Sequence, residues 1–324
     1  MTEILQTPKL VTVFGGSGFL GRHVVRALAR RGYRVRAAVR RPDLANHLQP
    51  LGNVGQIQAV QANLRVRWSV DRAVEGADQV VNLVGILFES GRQTFPAVQD
   101  FGARAVAEAA RAAGAGLTHV SAIGADAGSQ AVYARTKAAG EKAVFETRPD
   151  AIVLRPSILF GPEDNFFNRF ANMARISPAL PLIGGGGTLL QPVYVGDVAE
   201  AVARSVDGRA AAGAVYELGG PDVMSFREAM EEMLRVIERK RLLLPVPWWA
   251  AYTQASVLGL LPNPLLTADQ VTMLKTNNVV SGAAAKEERT LAGLGIRAES
   301  LAAILPAYLW RYRVAGQFTR GSEA

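Results

Sequence analysis

The chain has no cysteine and only three histidines among its 324 residues. Without a thiol, a disulfide framework, a thiolate metal site and a cysteine nucleophile are all excluded. His23, His47 and His119 share no metal-ligand spacing, so no metal site is expected. No apolar run reaches the roughly 20 residues that a membrane-spanning helix requires. Glu3 is acidic and the first strand begins near Lys9, which leaves no signal peptide to be expected. Internal repeats and low-complexity segments are missing too. These absences predict a soluble, cytoplasmic protein.

Acidic residues are in deficit, with 28 Asp and Glu against 36 Lys and Arg and a formal net charge of +8. A basic surface suits nucleic acid, anionic lipid or an acidic partner. The arginines are spread along the chain instead of clustering with aromatics, so nucleic acid is not an expected partner. Hydrophobic residues make up 49% of the chain, enough for one large core or two smaller ones.

The most informative stretch runs from Lys9 to Gly21. Leu10, Val11, Val13 and Phe14 form a short apolar run, the pattern of a strand buried on both faces. Gly15, Gly16, Gly18 and Gly21 follow, and a helical pattern starts at once. One glycine allows the turn out of the strand, one lets the backbone approach a pyrophosphate, and one lets helix and strand pack closely. The free N–H groups of the new helix face the anion. Leu20, Val24, Ala27 and Leu28 mark its buried face, and Gly32 sits where a C-cap belongs.

Strands and helices then alternate at the spacing of parallel βαβ units. Strands are expected at Arg34–Val39, Gln56–Val60, Gln79–Val84, Leu117–Ser121 and Ala151–Leu154. Helices are expected near Ser69–Val74, Val98–Ala113 and Tyr133–Phe145. Residues 161–192 read as irregular, with Pro162, Pro178, Pro181 and the run Gly184 to Gly187. That run lacks the Lys-Ser/Thr of a P-loop. Val193–Val206 reads as strand then helix, Ala214–Leu218 as a strand, and Ser225 to Glu228 as a capping box. The apolar stretch Trp248 to Leu261 fits core, a substrate-cavity wall or a membrane-surface helix. The fold class is therefore α/β, a doubly wound parallel sheet with a smaller, mostly helical C-terminal domain. A dinucleotide-binding domain spans 1–160, with 191–220 returning to it; 161–190 and 221–315 form the substrate or partner domain, and 316–324 a tail.

Tyr133 and Lys137 stand four residues apart, on one helical face. A phenol that passes a proton to a carbonyl benefits from a nearby ammonium, which favours phenolate. The same ammonium can bond the ribose hydroxyls of a nicotinamide cofactor.

With the glycine loop, the Tyr133/Lys137 pair and Leu154-Arg155-Pro156, the chain resembles the extended and atypical short-chain dehydrogenase/reductases. Ser121 to Asp126, Tyr133 to Glu141, Arg155 to Asp164 and Gln191 to Val198 resemble one branch of them. That branch contains the NADPH-binding accessory subunit of respiratory complex I and its bacterial relatives. The likeness extends through Leu294 to Ile296 and Tyr308 to Tyr312. It implies that Ser17, Phe19 and Leu20 line the pyrophosphate with the glycines, and that Asn63 and Leu64 flank the adenine. Val84 and Gly85 would lie along the ribose, and Pro156, Ser157 and Ile158 would face the nicotinamide.

Two departures sharpen that implication. Where an NAD-preferring site carries Asp or Glu on the ribose hydroxyls, this chain has Arg40-Arg41. Guanidinium groups there suit a 2′-phosphate, so NADPH is expected in preference to NADH. Catalytic relatives also hold the substrate carbonyl with a serine near the end of the fifth strand. That position falls at Ile123, which cannot donate a hydrogen bond. Ser121 lies deeper and stays the serine candidate for catalysis and cofactor contact. Three functions remain open. One is an accessory or assembly role beside a respiratory or quinone-biosynthetic complex, with peripheral contact to an anionic membrane at its inner face. Another is an NADPH-dependent reductase of a hydrophobic carbonyl or quinone-like substrate. The third is an NADPH redox sensor.

Overall fold

The computed structural model describes residues 8–259, 264 and 266–314. Leu260, Leu261 and the expected tail at 316–324 lie outside these residues. The described chain divides into two compact units. One gathers the residues up to Gly128 with Arg135–Arg155 and Val198–Tyr216; the other gathers Ser129–Ala134, Pro156–Asp197 and the residues from Glu217 on.

The first unit is organised by a seven-stranded sheet. Its strands are β1 (Leu10–Phe14), β2 (Arg34–Val39), β3 (Ile57–Gln61), β4 (Gln79–Asn82), β5 (Gly116–Val120), β6 (Ile152–Pro156) and β7 (Val215–Leu218), in the order β7-β6-β5-β4-β1-β2-β3. The pairings from β6 through β3 are all parallel, with Leu10 opposite Arg34 and Val11 opposite Gln79. Parallel strands need crossovers, which the helices supply. These are α1 (Phe19–Arg30), α2 (Arg67–Val74), α3 (Phe101–Ala112) and α4 (Val132–Thr147). Helix α1 buries Leu20, Val24, Val25 and Leu28 on one stripe, and Gly32 adopts φ +83 just beyond its end. Val70, Val80, Val106, Leu117, Val144 and Val153 form the core between α2, α3, α4 and the sheet. Glu141 of α4, itself buried, takes a two-pronged ion pair from Arg155 at the end of β6, at 2.9 and 2.6 Å.

The second unit contains helices where the sequence suggested irregular chain. Helix α5 (Phe167–Ile176) buries Phe167, Ala171 and Ala174, spaced four and three residues apart. Pro162 and Pro178 flank this helix without interrupting it, which is why their density misled. Helix α6 (Val195–Val206), expected from the sequence, belongs mostly to the first unit; in the second, α7 (Phe226–Val236) opens on the expected Ser225–Glu228 capping box. Phe160, Phe167, Phe226, Met230 and Leu305 centre its core. Helix α8 (Trp248–Leu258) splits the Trp pair. Trp248 packs with Ile183 and Ala251, whereas Trp249 is 73% exposed. Among the described residues no helix is long and apolar enough to cross a membrane.

Candidate functional site

The loop from β1 to α1 uses glycine where geometry demands it. Gly15 has φ +80, a left-handed conformation that side chains resist. A Cβ on Gly21 would stand 2.1 Å from the Gly15 carbonyl oxygen and 2.6 Å from the Gly16 carbonyl carbon. A hydrogen alone lets α1 begin this close to the strand. Gly18 caps α1 with no side-chain acceptor, and the first turn holds no acidic residue. The positive end of the helix is thus left for an anion.

A cavity of about 310 Å³ opens over this loop. In the sheet, β1 lies between β2 and β4, where the strand order reverses, which is where ligands settle in open α/β sheets. The cavity brings together the expected Gly15, Ser17, Gly18, Phe19, Leu20, Gly21, Arg40, Asn63, Leu64, Val84 and Gly85. Gly16 packs behind them; a Cβ there would come within 3.1 Å of the Ala37 Cβ. The wall also includes Arg65, Ile86, Gln93 and Val98, which the sequence reading missed. Arg65 directly follows Asn63-Leu64, a signal that was available. Ile86 and Gln93 lie in a loop with no periodicity to read.

The two adjacent arginines part company. Arg40 lines the cavity and makes no ion pair among the described residues. Arg41 closes on Asp43 at 2.7 Å, both side chains more than half exposed.

Helix α4 carries Tyr133 and Lys137 one turn apart, and both are buried. Lys137 Nζ donates to the Val120 carbonyl at 3.3 Å and lies against Gly85, where a Cβ would be 3.2 Å from it. The ammonium therefore backs the cavity wall. Burial pulls the Lys137 pKa down to about 8, against an upward pull from Glu141. Burial pushes Tyr133 up to about 12, and the Asp269 carboxylate adds to the rise. The expectation that Lys137 would favour phenolate is thus corrected: desolvation dominates and the phenol stays protonated. Asp269 accepts the backbone N–H groups of Val132 at 2.6 Å and Tyr133 at 3.0 Å, capping α4 from 136 residues downstream of Tyr133.

Behind Lys137 lies a buried polar cluster. Asn82 Oδ1 accepts the Val84 N–H at 3.2 Å, and Asn82 Nδ2 lies 3.2 Å from His119 Nδ1. The amide therefore donates and the ring nitrogen accepts. Burial, with Lys137 adding, holds His119 neutral at about 3. Ser121, one residue beyond β5, is buried, and its hydroxyl has no hydrogen-bond partner among the described residues. Ile123, expected at the position of the family's serine, is buried as well. In the second unit, the Ser157 hydroxyl donates to Asn278 Oδ1 at 2.6 Å and the Ile158 N–H to the same atom at 3.2 Å. Pro156, which precedes them, is buried.

A glycine-built anion cradle on a doubly wound sheet is the mark of a dinucleotide-binding protein. The model of the NAD dependent epimerase/dehydratase family matches residues 11–219, and the chain belongs to that family. A nicotinamide dinucleotide is accordingly the ligand for this fold. Over 290 residues the chain is 34% identical to NADH dehydrogenase (ubiquinone) 1 alpha subcomplex subunit 9, mitochondrial, of Arabidopsis thaliana, covering 86% of this chain and 72% of that one. It is 38% identical over 174 residues to the ceramide reductase of Caulobacter vibrioides, covering 54% of each. The triphenylmethane reductase of a Citrobacter species shares the fold, with a TM-score of 0.74 at 18% identity over 92% of this chain and 99% of that one.

Proposed function

We propose that the cavity holds NADPH and that the protein serves as a nucleotide-bound accessory or assembly factor of a respiratory or quinone-biosynthetic complex. The observation behind the cofactor choice is Arg40, which follows β2 directly and, among the described residues, makes no ion pair and lines a cavity wall without Asp or Glu. The Gly21 contact and the open start of α1 fit the pyrophosphate. Bound NADPH would supply a hydride to an acceptor. In this reading Gly15, Gly18 and Gly21 seat the phosphates, Asn63 and Leu64 flank the adenine, and Lys137 bonds the ribose. Arg41, held by Asp43, contributes little. Support for the accessory role comes from Ile123, whose side chain offers a substrate oxygen no donor, and from relatives named as NADH dehydrogenase subunits. Exposed Trp249 and the basic charge suit a seat on an anionic membrane.

Titration with both nucleotides tests the cofactor half. NADPH should bind at least tenfold more tightly than NADH, since a charge-assisted contact contributes about 1.5–3 kcal/mol. Equal affinities end this reading. Purification from native membranes tests the rest: a respiratory or quinone-biosynthetic complex should copurify with the protein and NADPH.

A second reading, a reductase, is favoured by the Tyr133/Lys137 turn and the unpartnered Ser121 hydroxyl. Tyr133 would then protonate the substrate oxygen while Lys137 holds the cofactor ribose. Brisk NADPH oxidation by a hydrophobic carbonyl compound, lost in Tyr133→Phe, would establish it over the first.

A further inference from the structure

We propose that Arg65 is a second specificity-determining residue, acting with Arg40 as a pair of guanidinium groups around the 2′-phosphate of the bound nucleotide. The inference rests on the NADPH reading above. Both residues line one cavity, Arg40 directly after β2 and Arg65 in the loop that follows the neighbouring β3. Val39 pairs with Gln61, and the Ala62 N–H donates to the Val39 carbonyl at 2.9 Å, so the loop bearing Arg40 is tied to the one bearing Arg65. The wall they share has two cations and no anion. A pyrophosphate seated on the start of α1 leaves that positive charge unanswered. A further phosphate answers it.

Arg65 is also held in place. Its N–H donates to Asn63 Oδ1 at 3.2 Å, which fixes the turn, and its Nη1 donates to the Arg92 carbonyl at 3.2 Å. Arg92 sits in a turn closed by reciprocal bonds between Ser90 and Gln93, at 3.1 and 3.0 Å. One of five guanidinium N–H donors is thus used for positioning, and no other side-chain bond of Arg65 occurs among the described residues. The remaining fork suits the oxygens of a phosphate dianion. A lysine would place one point charge there without the fork.

The test uses the full chain, with Kd measured for NADPH and NADH by nucleotide fluorescence and for 2′,5′-ADP and 5′-AMP by competition. Arg65→Gln should weaken NADPH and 2′,5′-ADP about tenfold and leave NADH and 5′-AMP within about twofold. Arg65→Lys should recover part of the loss. A melting curve for each variant confirms folding, and the Lys variant keeps the charge should the Gln variant unfold. Equal losses for phosphorylated and unphosphorylated nucleotides would assign Arg65 to adenine stacking and overturn the proposal. So would wild-type affinities in Arg65→Gln. A wild-type protein without NADPH preference defeats the underlying reading instead; a preference erased by Arg40→Gln but untouched by Arg65→Gln defeats this inference alone.

Discussion

The glycine loop before α1 and the first two turns of α4 prepare their sites by opposite means. In the loop, backbone shapes the proposed seat: a left-handed Gly15, a Gly21 with no room for a Cβ, and helix N–H groups left without side-chain acceptors among the described residues. Nothing there titrates near neutral pH. In α4, side chains are prepared by being taken out of water: Lys137 is drawn down to about 8 and Tyr133 pushed up to about 12. The loop limits which residues can stand there. The helix lowers stability to hold its charge. The two regions depend on different physics, so a change in one need not disturb the other.

The sharpest way to break the contrast is Gly21→Ala. The new methyl meets backbone atoms that cannot yield, so about 3 kcal/mol or more of stability should be lost, and NADPH affinity should fall at least 100-fold. Thermal melts and fluorescence titration read both. A variant with wild-type melting and binding would refute the close-packing account.

Next in size is Lys137→Met, which should act with the opposite sign on stability. In the unfolded chain the ammonium titrates near 10.5, in the fold near 8. Between those values the unfolded chain holds a proton that the native state has shed, so stability rises as pH climbs from 8 to 10.5. Below pH 8 the buried charge is a net cost. Lys137→Met should be more stable than wild type at pH 7, by up to about 3 kcal/mol, and should flatten that rise. Denaturant melts at pH 7, 9 and 10.5 measure it. A less stable variant at pH 7 contradicts the desolvation argument. Nucleotide binding should weaken even as stability grows.

The smallest effects separate the neighbouring arginines. Arg40→Asp should cost NADPH tenfold or more in affinity and narrow the gap to NADH. Arg41→Ala should change NADPH affinity less than twofold and leave the melting curve where it is, because an exposed pair such as Arg41–Asp43 contributes little. Matching losses in the two variants would merge what the structure separates.

The first half of the fold was readable because its signals are local. The glycines had to be glycines, and the predicted β2 matches the observed strand residue for residue. β4 ends two residues early because the Asn82 side chain takes the Val84 N–H out of the sheet pattern. α3 begins later than periodicity suggested, after a wide turn at Pro96–Asp100. In the site, Arg40 and Arg41 were indistinguishable as neighbours in sequence; an acid two residues on decides between them. The Tyr133 pKa had the wrong sign because neither burial nor the approach of Asp269 is written near position 133.

The Asp269 cap has a consequence for biosynthesis. The residues that line the cavity over the glycine loop fall between Phe14 and Val98, with Lys137 behind Gly85, so most of its wall is made early in translation. The carboxylate that closes the start of α4 belongs to a residue made much later. The two bonds from Val132 and Tyr133 to this carboxylate can form only once residue 269 has been made. The glycine loop is thus synthesised well before the residue that holds the start of α4.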